Sequence, residues 1–124
     1  MVQCSGTRQN KVGDEMYDKS QLKRGTLEGC ILKIIKLEET YGYEIMNKLS
    51  TYGFEDLSEG TIYPLLIRLE KKKLICSNYK SSPLGPSRKY FLITQLGIDM
   101  LNSFEEHWKS ISKAVNKILS LEEK

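Results

Sequence analysis

The sequence predicts a mainly helical fold with one small β-hairpin, followed by a long C-terminal helix. Three observations carry this prediction. Apolar residues recur at helical spacing in the first half of the chain, two aliphatic and aromatic runs flank a turn-rich loop, and an apolar series with heptad spacing closes the sequence. The length of 124 residues fits one domain.

The first two helices are predicted from their apolar spacing. The first runs from about Gln21 to Leu37 and buries a stripe at i, i+3, i+4, i+7 and i+8, formed by Leu27, Cys30, Ile31, Ile34 and Ile35. The second ends at Gly53, a residue suited to a left-handed helix end, and buries Ile45, Met46, Leu49 and Tyr52. Residues 1–19 show no hydrophobic period and are expected to form a mobile tail.

Pro64 removes the hydrogen bond to Gly60, so the third helix either begins at Glu59 with a bent first turn or begins near Tyr63, and we predict the longer helix. Ser58 precedes it as a residue whose hydroxyl is expected to accept the amide of Thr61 or its neighbour. The inward face holds Ile62, Leu65, Leu66 and Leu69. At about 100° per residue, the opposite face holds Gly60, Thr61, Pro64, Ile67, Arg68 and Lys71.

Residues 74–80 and 88–94 are predicted strands joined by a loop at residues 81–87, since Ser, Pro and Gly dominate the intervening segment. Three helices and a hairpin predict a winged helix-turn-helix over residues 20–94. Thr94 then caps a helix at residues 95–124, with a heptad seam of Leu101, Phe104, Trp108, Ile111, Val115 and Ile118. We expect this helix to form a homodimer, with packing on the first helix of its own chain as the alternative.

The charge of the chain is concentrated in one segment. The net charge is only +3, but residues 68–90 carry seven basic residues against Glu70 alone, a local net charge of +6. Such an excess in an otherwise slightly acidic chain predicts a surface that binds a polyanion. For Lys71, Lys72 and Lys73 alone, an ordinary solvated helix face is the alternative.

Several classes of protein are excluded by residue type and spacing. Three cysteines and the single histidine lie far apart, so no zinc site is predicted, and Cys30 and Cys76 are expected to be reduced core residues. Without a Gly-rich phosphate loop or a nucleophile–base pair, neither an enzyme nor a cofactor is predicted. No run is apolar enough for a membrane span or secretion signal, so a soluble, cytoplasmic protein is expected.

Four ordered blocks resemble the PadR family of bacterial transcriptional regulators, and the resemblance covers about Leu22 to Trp108. The blocks are LKRGTLE at 22–28, YGYEI at 41–45, LSEGTIYPLLIRLE at 57–70 and GPSRKYFLIT at 85–94. The resemblance implies a dimeric winged-helix repressor whose single C-terminal helix completes the dimer, as in the short subfamily.

Sequence and resemblance together predict sequence-specific binding to double-stranded DNA, with the start of the third helix in the major groove and the wing on adjacent backbone. For Tyr43 and Tyr63, the alternative to a DNA contact is packing in the core of the chain. With about 3–4 phosphate contacts per subunit, the slope of log affinity against log salt should be about −5 to −7, on a palindromic operator. The predicted contact residues are Lys23, Tyr43, Ser58, Gly60, Thr61, Tyr63, Pro64, Arg68, Lys71, Lys80, Arg88 and Lys89.

The resemblance also implies an effector site, because in some relatives a tryptophan at this place stacks planar aromatic compounds between subunits. Here Trp108, helped by Phe104 and Ile111, would do so. The alternative is that Trp108 packs in the core of the dimer and binds no ligand. Two other functions stay open at this stage: a winged-helix module that binds protein, and a thiol-responsive regulator that uses Cys4 or Cys76.

Overall fold

The computed structural model of the chain describes residues 17–123, so Cys4 and most of the predicted tail lie outside it. Within this range the fold is mainly helical with a small antiparallel sheet, which confirms the predicted fold class. The elements in chain order are α1 (Lys19–Leu37), β1 (Thr40–Tyr41), α2 (Gly42–Thr51), α3 (Glu59–Lys71), β2 (Ile75–Ser82), β3 (Gly85–Ile93) and α4 (Gln95–Leu119).

The core lies between α1, α2, α3 and the sheet. Helix α1 buries Leu32, which the predicted stripe omits, whereas Cys30 and Ile34 are only partly buried. Tyr52 was predicted to point inward and is 85% exposed, because it is the residue after the last turn of α2 and no longer follows the helical phase. Gly53 has a φ of 113°, as expected for a helix end that favours glycine.

Helix α3 begins at Glu59 and contains Pro64, which confirms the longer of the two starts considered from the sequence. The expected side-chain cap is absent: the amides of Thr61 and Ile62 both donate to the backbone carbonyl of Ser58. The Ser58 hydroxyl instead lies 3.3 Å from the Thr61 hydroxyl. The backbone oxygen thus satisfies the free amides of the first turn, and the side chain stays at the surface.

The sheet has the strand order β1-β3-β2, and its two-residue β1 was not predicted. Thr40 pairs with Phe91 and Tyr41 with Tyr90. The hairpin is tighter than expected, because Ser82 pairs with Gly85 and leaves only the pair 83–84 between the strands. A register irregularity between Lys80 and Ser82 lets the strands continue through the Ser- and Pro-rich segment that predicted a long loop.

The first turn of α4 is fixed to the turn between α3 and β2. The Thr94 hydroxyl accepts the Gly97 amide and lies 2.7 Å from Lys73 O and 3.0 Å from Leu74 O, to which it donates. A Cβ atom at Gly97 would overlap the Leu74 carbonyl, so only glycine permits this approach. The predicted Thr94 cap is confirmed, and it also anchors α4 to the base of the hairpin.

Helix α4 has 25 residues, about 37 Å, and leaves the core partway along its length. Leu101 is 4% exposed and packs in its own chain, so it does not belong to the exposed apolar series with which it was grouped. Phe104 packs over Gly29 of α1. From there onward the apolar residues of the heptad series are exposed: Trp108, Ile111, Val115 and Ile118. No helix within residues 17–123 is long and apolar enough to cross a membrane.

Candidate nucleic-acid interface

A cationic surface lies on the last turns of α3 and on the hairpin. We use this name for the seven basic residues Arg68, Lys71, Lys72, Lys73, Lys80, Arg88 and Lys89. The two elements are held together by Glu70, whose carboxylate accepts hydrogen bonds from Ser77 of β2 and from Lys89 of β3, the latter at 2.9 Å. Lys89 therefore lies beside the basic end of α3, whereas Lys80 and Arg88, which pair with each other, lie on the other face of the hairpin.

The Glu70 carboxylate is stabilised in its charged form. The hydrogen bond from Ser77, followed by the hydrogen bond and the positive charge of Lys89, lowers the pKa of Glu70 below its usual value. The Lys89 ammonium also lies 5.5 Å from the centre of the Phe91 ring. Lys89 thus connects the wing to α3, a structural role in addition to the DNA contact predicted for it.

The outer face of the sheet carries an alternating series of cations and tyrosines. Arg88 lies over the Tyr41 ring at 4.6 Å, and Lys80 lies over the Tyr90 ring at 4.8 Å. The two rings meet edge to face at 5.3 Å. These contacts restrict the motion of two long basic side chains above the sheet, so that less conformational entropy is left to lose when they bind an anion. The sequence showed the residues, but only the register with β1 brings Tyr41 beside them.

The start of α3 presents small and polar groups to solvent. Ser58, Gly60, Thr61 and Pro64 are exposed, as the predicted contact face requires. The Tyr63 ring packs on Gly42, where a Cβ atom would lie 3.5 Å from Tyr63 Cζ. The Tyr63 side chain is nevertheless exposed in part. Tyr43 is exposed by about half. Both tyrosines therefore remain partly accessible to solvent.

Two carboxylates from outside the basic segment reach the cationic surface. Glu28 of α1 lies 3.4 Å from Arg68 Nε, and Glu39, just before β1, lies 2.8 Å from Lys80 Nζ. Counting these two residues reduces the local net charge from +6 to +4. Sequence analysis missed them because both precede the basic segment by many residues.

Lys23 occupies a different place from the other predicted contacts. Its ammonium donates to the Glu55 carbonyl at 2.8 Å, in the connector between α2 and α3. It also lines a cavity against α4 rather than the hairpin. The structure does not bring Lys23 to the cationic surface, and the sequence placed it there only through its family block.

Two open cavities flank the first half of α4, with volumes of about 660 and 480 Å³. Both are lined by Cys30, Phe54, Phe104 and Trp108, whereas Ile111 lines neither. Burial raises the pKa of the Cys30 thiol. Cys76 was predicted to be a core residue and is exposed instead, because it lies opposite Leu92 on the outer face of the sheet.

Three helices followed by a basic hairpin and a partly unpartnered long helix define a winged-helix protein with a helical extension. The sequence matches the transcriptional regulator PadR-like family over residues 31–103. The chain belongs to this family, and it is a PadR-like transcriptional regulator. Members of the family are regulators rather than enzymes.

Relatives with known structures share both sequence and fold with the chain. A PadR-like transcriptional regulator from Bacillus cereus is 51% identical, with a TM-score of 0.76 over 82% of this chain and 99% of the other. A Streptococcus transcriptional regulator is 42% identical, with a TM-score of 0.73 over 81% and 98%. By sequence comparison, the chain is also 34% identical to a Lysinibacillus sphaericus protein over 100 residues. The match covers 79% of this chain and 92% of that protein.

Glu70→Gln should destabilise the fold at neutral pH by about 1 kcal/mol, because it weakens the link between α3 and the hairpin. Since folding lowers the pKa of Glu70, its contribution is present above the pKa of the unfolded chain. It is lost as the pH falls through the folded-state pKa. Urea unfolding should show a difference at pH 7 that vanishes in strong acid. Glu122→Gln is the control, and a difference that persists in acid contradicts the assignment.

Proposed function

We propose that this regulator is a homodimeric repressor that binds a palindromic operator through α3 and the hairpin and is released by a planar aromatic molecule. The observation that carries DNA binding is the cationic surface, which adjoins a helix whose first turn is exposed and carries small residues. A recognition helix needs this combination, since phosphate contacts give affinity and register while base edges give sequence preference.

The residues of the proposed DNA contact divide by chemistry. Gly60 and Thr61 lie in the first turn of α3, where their small size permits close approach to base edges. The Thr61 methyl group suits the methyl group of thymine, and its hydroxyl suits a base or a phosphate oxygen. Arg68 and Lys71, in the last turn, and Arg88, on the wing, are assigned to phosphates.

Arg68→Ala and Arg88→Ala should each weaken binding to duplex DNA by roughly three- to tenfold. Each should also flatten the slope of log affinity against log salt by about 0.9 per phosphate lost in each protomer. The measurement is a titration of labelled promoter DNA by fluorescence anisotropy at several salt concentrations. Lys109→Ala on α4, whose ammonium pairs with Glu105, is the matched control. An unchanged affinity and slope in both variants would refute the assignment.

The proposed dimer uses the exposed apolar stripe on α4, formed by Trp108, Ile111, Val115 and Ile118. Leaving four such residues in water on one helix face is unfavourable, and a second copy covers them with the same stripe by two-fold symmetry. The spacing of three and four residues suits packing between two helices. The cavities beside Phe104 provide further apolar surface next to this stripe.

Val115→Asp should convert the dimer into a monomer at micromolar concentration, because it places a charge in the proposed helix contact. Sedimentation equilibrium measures the mass. Circular dichroism confirms that the variant is folded, as expected for a residue exposed in the single chain. Lys113→Asp introduces the same side chain outside the stripe and should stay dimeric. A Val115→Asp variant that sediments like the parent would exclude this interface.

The effector proposal rests on the two cavities that share Phe104 and Trp108 as walls. A planar aromatic molecule suits such a site, because stacking on an indole and a phenyl ring adds to the burial of its faces. Binding there displaces α4 relative to α1, and α4 is anchored at its start to the base of the hairpin. This anchor provides a route by which the ligand alters the placement of the two wings.

Acridine should quench the fluorescence of Trp108, which is the single tryptophan of the chain. Phe104→Leu keeps an apolar side chain but removes one stacking ring, and it should weaken the apparent affinity by roughly tenfold, or about 1.4 kcal/mol. Tyr79→Ala removes an exposed aromatic from the hairpin and should leave the titration unchanged. If quenching is linear in acridine concentration and identical in the parent and both variants, it reflects collisional quenching without binding. That result would rule out the site.

A further inference from the structure

We propose that Glu28 and Glu39 limit the affinity of the cationic surface for DNA by competing with phosphates for Arg68 and Lys80. The proposal rests on the function given above. Its consequence is a lower affinity for any DNA backbone, because the competition reduces the part of the affinity that does not depend on sequence.

The two ion pairs share an asymmetry of exposure. In the first, the Arg68 side chain is 60% exposed and Glu28 only 26%; in the second, Lys80 is 51% exposed and Glu39 only 27%. The carboxylates are therefore held by the fold, while the cationic groups extend toward solvent. A phosphate that approaches either cation meets a carboxylate already in place, and the attraction it experiences is reduced accordingly.

Glu39 adds a specific cost when Lys80 moves. Its Oε1 atom is buried and accepts no hydrogen bond from residues 17–123, so the Lys80 ammonium at 2.8 Å is its charged partner. If Lys80 turns toward a phosphate, this oxygen loses its charged partner in a site that is only partly open to water, since the Glu39 side chain is 27% exposed. Leaving a partly buried charge unpaired is unfavourable. Any DNA contact by Lys80 must first offset that loss.

Glu70 differs from these two residues although it also contacts a basic side chain. Its carboxylate accepts hydrogen bonds from both Ser77 and Lys89 and joins α3 to the hairpin. Removing it would disturb the shape of the surface as well as its charge. Glu59, by contrast, is exposed in the first turn of α3 and has no cation within 4 Å among the described residues. It is therefore the charge-matched control for Glu28 and Glu39.

Competition for phosphate contacts removes a larger share of the affinity for arbitrary DNA than of the affinity for the operator. Binding to arbitrary DNA depends almost entirely on phosphate contacts, whereas operator binding also includes contacts with base edges. On an arbitrary duplex the protein lacks base contacts that would offset the loss of the two ion pairs.

The experiment measures binding of Glu28→Gln and Glu39→Gln to a mixed-sequence duplex over a series of salt concentrations. Each variant should bind roughly three- to tenfold more tightly than the parent, with a slope steeper by about 0.9 for each phosphate gained per protomer. In the Arg68→Ala background, Glu28→Gln should have no further effect, and Glu39→Gln should likewise have none in the Lys80→Ala background. Glu59→Gln should change affinity equally in all backgrounds.

The outcomes separate this proposal from the function on which it rests. If Glu28→Gln or Glu39→Gln weakens binding, the carboxylate orients the cation instead of competing for it, and the proposal is overturned. Equal effects in the parent and alanine backgrounds overturn it as well, because they show a general charge effect. Absence of binding by the parent chain to any duplex at low salt refutes the proposed function itself.

Discussion

The contact between the first turn of α4 and the turn after α3 is the constraint on which the rest of the architecture depends. Thr94 bonds both the α4 amide of Gly97 and the carbonyls at residues 73 and 74, and the missing Cβ of Gly97 allows the backbones to touch. Because β3 leads directly into this contact, the direction of α4 and the position of the hairpin are set together. The helix that carries the exposed apolar stripe is thus directly connected to the hairpin of the cationic surface.

Much of this arrangement follows from local sequence patterns. Apolar periodicity located four helices, and the Ser- and Pro-rich segment between two β-type runs located the hairpin. The errors in the sheet have a common cause, which is that strand pairing cannot be read from local sequence. The two-residue β1 forms only because β3 offers it an edge, and pairing of β2 with β3 as far as Ser82 and Gly85 extends the hairpin beyond the predicted strand ends. Cys76 was misplaced because the face of β2 that it occupies depends on register.

The basic residues of the candidate site were predicted from the sequence, but the acidic and aromatic residues that surround them were not. The local excess of positive charge was visible in the sequence, and so was the exposed face of α3. Tertiary structure adds Glu28 and Glu39 to one part of this surface and Tyr41 to another. A charge count over a continuous segment therefore overestimates the field that DNA would meet. The proper unit for the count is the set of residues within contact distance.

The packing of Phe104 on Gly29 has a geometric consequence for the whole assembly. With no side chain on Gly29, the Phe104 ring lies in the space that a Cβ atom there would occupy, so α1 and α4 approach closely at this level. A methyl group at residue 29 would clash with the Phe104 ring and force α1 and α4 apart. In the proposed dimer, that change would occur in both chains and would alter the distance between the two wings. The spacing of the proposed half-sites would then depend in part on a residue outside the proposed DNA contact.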